Sequence, residues 1–253
     1  MSNNEDKMIH PKRLTKADIA KIKASLPKRM DLGQPRDIEE ILVENKDEVC
    51  VPLSAETILS FRKYAEMLKE KNKVMNLTSI TDDEGIALKH FIDSLTIASY
   101  VDEEQSKIKG RKVSLIDVGT GAGFPGVVLK IVFPNLKITL VDSLQKRVNY
   151  LNEIIKELKL QDIEAIHSRG EDYKGEFDVV TSRAVANIEK LVDYTMHLVS
   201  KNGVFVAMKG NIDKELTESV AKKINKKYRI IKLEKFTLPI ENSERSLVVI
   251  KKA

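Results

Sequence analysis

The stretch Ser114-Leu-Ile-Asp-Val-Gly-Thr-Gly-Ala-Gly-Phe-Pro-Gly126 decides how the rest of this 253-residue chain is read. Leu115, Ile116 and Val118 form a short apolar run, suited to a parallel strand covered on both faces. The glycines that follow let the backbone turn tightly against a ligand, and Pro125 suits the first turn of a helix expected over residues 126–132. A strand running through a glycine loop into a helix is where an α/β sheet binds its ligand.

Two ligand classes use such a loop. Gly121, Gly123 and Gly126 satisfy the dinucleotide spacing G-x-G-x-x-G, a weak signal by itself. Asp117 decides between them: its carboxylate sits at the strand end, where a dinucleotide pyrophosphate would meet repulsion instead of bare N–H groups. S-adenosylmethionine has no phosphate. Its ammonium and sulfonium suit an acidic loop, and its carboxylate suits backbone amides. The run from Asp117 to Gly123 resembles the glycine motif of class I methyltransferases, an acidic residue followed by G-x-G-x-G.

Working outward, residues 138–141 predict a second strand ending at Asp142, at the separation from the loop where an acidic residue accepts hydrogen bonds from ribose hydroxyls. A helix is expected over residues 145–159, with Val148, Leu151, Ile155 and Leu158 on its inner face. Lys146 and Arg147 lie in its first turn, where the macrodipole disfavours cations, so an approaching phosphate or a neighbouring carboxylate must recruit them. Further strands are expected at residues 163–166, followed by Gly170-Glu171-Asp172, and at 177–181, followed by Ser182-Arg183-Ala184. A helix over 188–199 ends in the turn signal Lys201-Asn202-Gly203, and a fifth strand at 204–208 ends at Lys209. This alternation implies an α/β, Rossmann-like, doubly wound parallel sheet. Asp117, Asp142, Glu171, Arg183 and Lys209 all fall at strand carboxyl ends, where such sheets bind ligands. Residues 228–237 and 246–251, joined by a short connection, are expected to pair antiparallel, and the basic helix carrying Lys222, Lys223, Lys226 and Lys227 reads as a solvated face.

Upstream of the loop, residues 1–52 read as an appended basic arm with modest helical patches at 14–26 and 38–43, and residues 53–253 as helices leading into the main domain. Ser54 is the expected N-cap of a helix whose inner face carries Ile58, Phe61, Ala65 and Leu68 and which stops near Asn72. Thr81 and Glu84 have capping-box spacing. In the helix that follows, His90, Asp93 and Ser94 fall near one face. The local reading pairs His90 with Asp93 and makes Asn76 a turn residue; their polarity among apolar neighbours also makes them candidates for lining a site.

The formal net charge of +5 allows a polyanionic partner without requiring one. A single cysteine excludes an internal disulfide, and the four histidines lie too far apart in sequence for metal-ligand spacing, so no metal is expected. The N-terminus has no apolar signal core and no apolar run is long enough to span a bilayer, which reads as a soluble cytoplasmic protein.

Six segments carry a resemblance over most of the chain: Asn76-Leu-Thr-Ser-Ile, Lys89-His-Phe-Ile-Asp-Ser-Leu, the glycine loop from Asp117, Val141-Asp-Ser-Leu-Gln-Lys-Arg, Ser182-Arg-Ala-Val-Ala and Ala207-Met-Lys-Gly. From about Leu53 onward the chain resembles the small-subunit (16S) ribosomal RNA guanine-N7 methyltransferase family, also called glucose-inhibited division protein B. The resemblance implies a class I methyltransferase sheet with an antiparallel C-terminal strand, S-adenosylmethionine as cofactor, and 16S ribosomal RNA or the small ribosomal subunit as partner. It further implies that Gly119, Phe124, Gly170, Glu171 and Arg183 contact the cofactor, with Asp142 on the ribose as in related methyltransferases. Arg183 and Lys209 are the candidates for positioning the base or its phosphates. The first fifty or so residues exceed the family's usual short N-terminal segment.

Overall fold

The computed structural model of the chain describes residues 37–45, 51, 53–183, 186–239 and 243–253. The helical patch and basic residues expected before residue 30 lie outside the described residues.

Strand β1 (Ser114–Val118) is apolar enough to be buried on both faces, and it forms the middle of a mainly parallel array with β2 (Lys137–Asp142), β3 (Ile163–His167), β4 (Phe177–Arg183) and β5 (Val199–Lys209). The hairpin β6 (Tyr228–Thr237) and β7 (Glu244–Lys252) completes a seven-stranded sheet of order β3-β2-β1-β4-β5-β7-β6. Only β7 runs against the others, pairing antiparallel with β5 on one side and β6 on the other. Parallel pairing of β1 with both β2 and β4 puts the reversal of strand order beside β1, so a crevice opens at the carboxyl end of that strand.

Successive residues of each strand face opposite sides, and two apolar layers result. Leu115, Ile138, Val179 and Val206 face one cluster with Phe61, Tyr64 and Leu68 of α2 (Ala55–Met75), Phe91 of α3 (residues 83–95), Val127 of α5 (Gly126–Val132) and Leu151 of α6 (Gln145–Glu157). Helix α1 (Ile38–Asn45) and helix α4 (Ala98–Lys107) add Ile38, Ile41, Leu42 and Val101 to the same layer. Ile116, Val118, Val141, Val180 and Phe205 face the other, against Ile188, Leu191 and Val192 of α7 (Ile188–Thr195) and Ile224 of α8 (Glu218–Asn225).

Several local expectations are corrected. Helix α2 runs past Asn72 to Met75, where Asn76 ends it in the left-handed conformation at φ 49°. Its buried face includes Tyr64, while Ile58 is only partly buried. The cap of α3 is Asp82, whose carboxylate accepts from Gly85 N, rather than Thr81. Its middle, Ile86–Ile92, is π-helical. The expected turn at residues 201–203 belongs to β5: the helix gives way after Thr195 to a 3₁₀ turn, Met196–Leu198, and the strand starts at Val199. Gly203 marks an irregularity in the β4–β5 pairing, where a Cβ would lie 2.7 Å from Phe177 O and 2.8 Å from Asp178 O. Its missing side chain serves close backbone approach, not chain reversal.

Candidate active site

Residues 119–125 leave β1 as a loop whose amides are largely spent inward. Gly119 N and Thr120 N donate to Val141 O, Gly121 N to the Asp142 carboxylate, and Gly123 N and Phe124 N to Thr120 O. Five of the six amides from Gly119 to Phe124 therefore have protein acceptors, and no array of free N–H groups faces the crevice. A pyrophosphate needs such an array. Gly119 and Gly121 have φ of 71° and 63° and are partly exposed, so they present bare left-handed backbone to the crevice. A Cβ at Gly121 would meet nothing within 4 Å, whereas the buried glycines Gly123 and Gly126 are filled from behind by Tyr64, Val127, Leu140 and Asp117.

Asp117 is fully buried behind this loop. Its Oδ2 accepts from Thr120 Oγ1 at 2.7 Å and Gly126 N at 2.9 Å, while Oδ1 has no hydrogen-bond partner among the described residues. Burial pushes its pKa up to about 6, against the opposing pull of those two bonds and of Arg183. Near neutral pH the carboxylate is mostly ionised, and it sets a negative potential under the glycines. Asp142 adds a second charge: Oδ2 accepts from Gly121 N and, at 3.3 Å, from Arg147, and Oδ1 accepts from Leu144 N. This ion pair accounts for Arg147 in the first turn of α6; Lys146 is exposed.

At the far end of the loop the Phe124 ring anchors an aromatic stack. His90 lies parallel to it at 4.4 Å between centroids, and Tyr64 stacks at 5.3 Å. Tyr64 also donates its hydroxyl to Ala122 O, tying α2 to the loop. The Arg183 guanidinium sits over the same Phe124 ring, 5.1 Å from its centroid, a cation–π geometry. Three acceptors hold it there: Lys89 O and Asp93 Oδ2, both 3.0 Å from NH1, and His90 Nδ1, 3.3 Å from NH2. Because arginine only donates, His90 Nδ1 carries the lone pair and Nε2 the proton, which goes to Thr78 Oγ1 at 2.9 Å. Burial first, and Arg183 second, lower the His90 pKa to about 3, so the ring is neutral at physiological pH. The expected His90–Asp93 pair is thus replaced by two separate contacts to one arginine, and Asn76 is the turn residue it was read to be.

The remaining strand-end residues divide into two kinds. Gly170 packs on β1, where a Cβ would lie 2.5 Å from Val118 Cγ1, and Glu171 is exposed with Arg169 at 3.7 Å. Lys209 is buried and committed: Nζ donates to Ala186 O at 2.6 Å and pairs with Glu215 at 2.9 Å, whose carboxylate also accepts from Ile188 N. It holds the start of α7 and presents no free cation. Asp142 therefore touches the glycine loop at Gly121, and Phe124 and Arg183 are in contact, while Gly170 is buried against Val118, Glu171 is exposed, and Lys209 acts one step removed. Sequence reasoning missed Tyr64, Thr78 and Arg245; Thr78 lay within a quoted motif, whereas Arg245 reaches Asp93 across 152 positions.

Buried carboxylates behind a loop with few free amides, opened by two bare glycines, suit a cationic, phosphate-free ligand. The unpartnered Asp117 Oδ1 is the atom that makes this fit. Among the described residues no group of three or more His, Cys, Asp or Glu side chains could hold a metal, and no helix is long and apolar enough to cross a membrane.

Comparison with known proteins adds the following. A family model described as rRNA small subunit methyltransferase G matches residues 57–247. The ribosomal RNA small subunit methyltransferase G of Acetivibrio thermocellus is 43% identical over 221 residues, 85% of this chain and 88% of that protein. The protein of the same name from a Geobacillus strain is 44% identical over 213 residues, covering 81% and 87% respectively. Among solved structures, magnesium protoporphyrin IX methyltransferase from Synechocystis PCC 6803 with bound SAM aligns with a TM-score of 0.53 at 12% identity, over 75% of this chain and 97% of that one, a likeness of fold.

Proposed function

The chain belongs to the rRNA small subunit methyltransferase G family, and from that premise we propose that it transfers the methyl group of S-adenosylmethionine to N7 of a guanine in 16S ribosomal RNA. When bound, S-adenosylmethionine supplies an electrophilic methyl group on a positively charged sulfonium. The observation that carries the reading is the inward-bonded glycine loop with Asp117 and Asp142 behind it, an anionic cradle that disfavours a dinucleotide and favours a cationic donor. Gly119, Phe124, Gly170, Glu171 and Arg183 would hold the donor. Asp142 keeps an unused lone pair on Oδ1 for a ribose hydroxyl.

Guanine N7 carries a lone pair and no proton, so its attack needs no general base. The site has the corresponding character: its one histidine is neutral, has both ring nitrogens engaged, and has a pKa near 3. Catalysis then rests on orientation and on electrostatics prepared before the substrate arrives. Arg183, fixed over Phe124, is the candidate for orienting the base, and Lys209 would act through the segment it anchors at Ala186. The acceptor is 16S ribosomal RNA as such or within the small subunit, approached in the cytoplasm. The exposed Lys146 and Arg169 beside the cradle would give sequence-independent phosphate contacts.

The test is transfer of labelled methyl groups to small subunits isolated from cells without the modification. Label at a single guanine N7, falling steeply with added salt, is the expected result. Binding of subunits without label would instead make the protein an RNA-binding assembly factor, and salt-insensitive labelling of another acceptor would move it to a different substrate class.

A further inference from the structure

Asp93 is 3% exposed, lies outside the glycine loop, and is grasped from two sides by arginines from distant parts of the chain. Its Oδ2 accepts from Arg183 NH1 at 3.0 Å and its Oδ1 from Arg245 Nε at 2.8 Å. Arg183 ends β4 at the crevice. Arg245 lies in β7, where NH1 also donates to Ser243 Oγ and Glu244 O. Side-chain exposures of 17% for Arg183 and 20% for Arg245 leave both pairs well shielded from solvent.

We propose that Asp93 and Arg245 are positioning residues for Arg183: the shared carboxylate fixes the guanidinium over Phe124, and Arg245 carries half of the carboxylate's charge so that Arg183 keeps a net positive face for the donor's carboxylate, which the inward-bonded loop amides do not take up. With Arg183 alone, a buried carboxylate and a guanidinium would cancel. With two guanidinium groups on one carboxylate the cluster keeps a net charge of one, and neutral His90 adds none. Each oxygen is held by its own cation, so the carboxylate plane is set by both ends, and Arg183 cannot rotate off the ring without leaving Asp93, Lys89 O and His90 together. The C-terminal hairpin is thereby part of the active site, although no atom of Arg245 touches Phe124 or the glycine loop among the contacts described. This inference rests on the reading of Arg183 as a residue that meets the methyl donor.

Arg245→Met is the informative substitution, because it leaves Asp93 paired with Arg183 and creates no unpaired buried charge. Three readouts are taken: S-adenosylmethionine affinity by calorimetry without RNA, kcat and KM for subunit methylation, and the His90 Nδ1 chemical shift by ¹⁵N NMR. The expected result is an affinity reduced about five- to twentyfold, a lower kcat with little change in KM for the subunit, and a shifted Nδ1 resonance as Arg183 turns toward Asp93. Arg245→Lys, which can still place a cation on Oδ1, should recover most of each effect. Wild-type affinity, kcat and Nδ1 shift in Arg245→Met would overturn the proposal, as would equal impairment of the Met and Lys variants. If the wild-type protein fails to methylate the subunit, the proposed reaction falls, while affinity and the His90 signal still decide the role of Arg245.

Discussion

Asp117→Asn isolates the energetic cost of keeping a carboxylate under the glycine loop. The rise of its pKa from 3.8 to about 6 already contains the partial compensation from Thr120, Gly126 and Arg183. At about 1.4 kcal/mol per pKa unit, the difference corresponds to about 3 kcal/mol. Below the unfolded value both states are protonated and nothing is lost. Between 3.8 and about 6 the folded state binds more protons than the unfolded one, so stability falls as pH rises. Above about 6 both are ionised and the full penalty stands. Asparagine does not titrate and can still accept from Thr120 and Gly126. The stability difference, variant minus wild type, should therefore climb by about 2.5 kcal/mol in favour of the variant between pH 4 and pH 8, with other groups cancelling in the comparison. Urea denaturation of the ligand-free protein at several pH values measures it, and calorimetry with S-adenosylmethionine should give weaker binding for the more stable variant. A pH-independent difference would refute the reasoning, because it would mean that Asp117 Oδ1 has a partner or that the charge is not desolvated.

Other substitutions probe the cradle and its supports. Gly119→Val puts a β-branched residue at φ 71° and should abolish S-adenosylmethionine binding; unchanged affinity by calorimetry would remove the loop from the site. Arg183→Ala should lower methyl transfer on the order of a hundredfold with the fold intact, since Asp93 keeps Arg245, and a protein that unfolds instead would mark a structural ion pair. Lys209→Met should destabilise by about 2–3 kcal/mol in thermal or urea denaturation by stripping Glu215 and Ala186 O of their cation, and a stable protein with lost activity would return Lys209 to direct substrate contact.

The strand, loop and helix from Ser114 to Val132 were legible because each depends on residues adjacent in sequence: an apolar run, glycines with positive φ and a proline at the helix start. Strand-end polarity is legible for the same reason, and it marks Asp142 and Arg183, which the fold sets against Gly121 and Phe124. Lys209 shows the limit of that signal. Position marks a residue as near the crevice, but whether its charge is available depends on Glu215 and Ala186, which only the folded chain brings to it. Gly203 failed in the opposite direction: glycine after Lys-Asn is a common turn signal, and nothing local records that the backbone of β4 passes within reach of its Cα.

The segment around His90 shows why a polar pair on a helix cannot be assigned by spacing alone. Three residues apart on a regular α-helix, His90 and Asp93 would be neighbours and a direct pair the simplest reading. Here the Asp93 amide also bonds back to Leu88 O, a π-type step that widens the turn and changes which residues share a face. Burial then excludes the charged partner that a pair would need, because burial and Arg183 lower the His90 pKa to about 3 and leave the ring neutral at physiological pH. Asp93 must find its cations elsewhere, and the two that reach it, Arg183 and Arg245, come from strands 90 and 152 positions away. Local spacing marks His90, Asp93 and Arg183 as candidates, and it leaves out Tyr64 and Arg245. Their roles follow from which charges survive burial, and that is a property of the packed sheet and helices together.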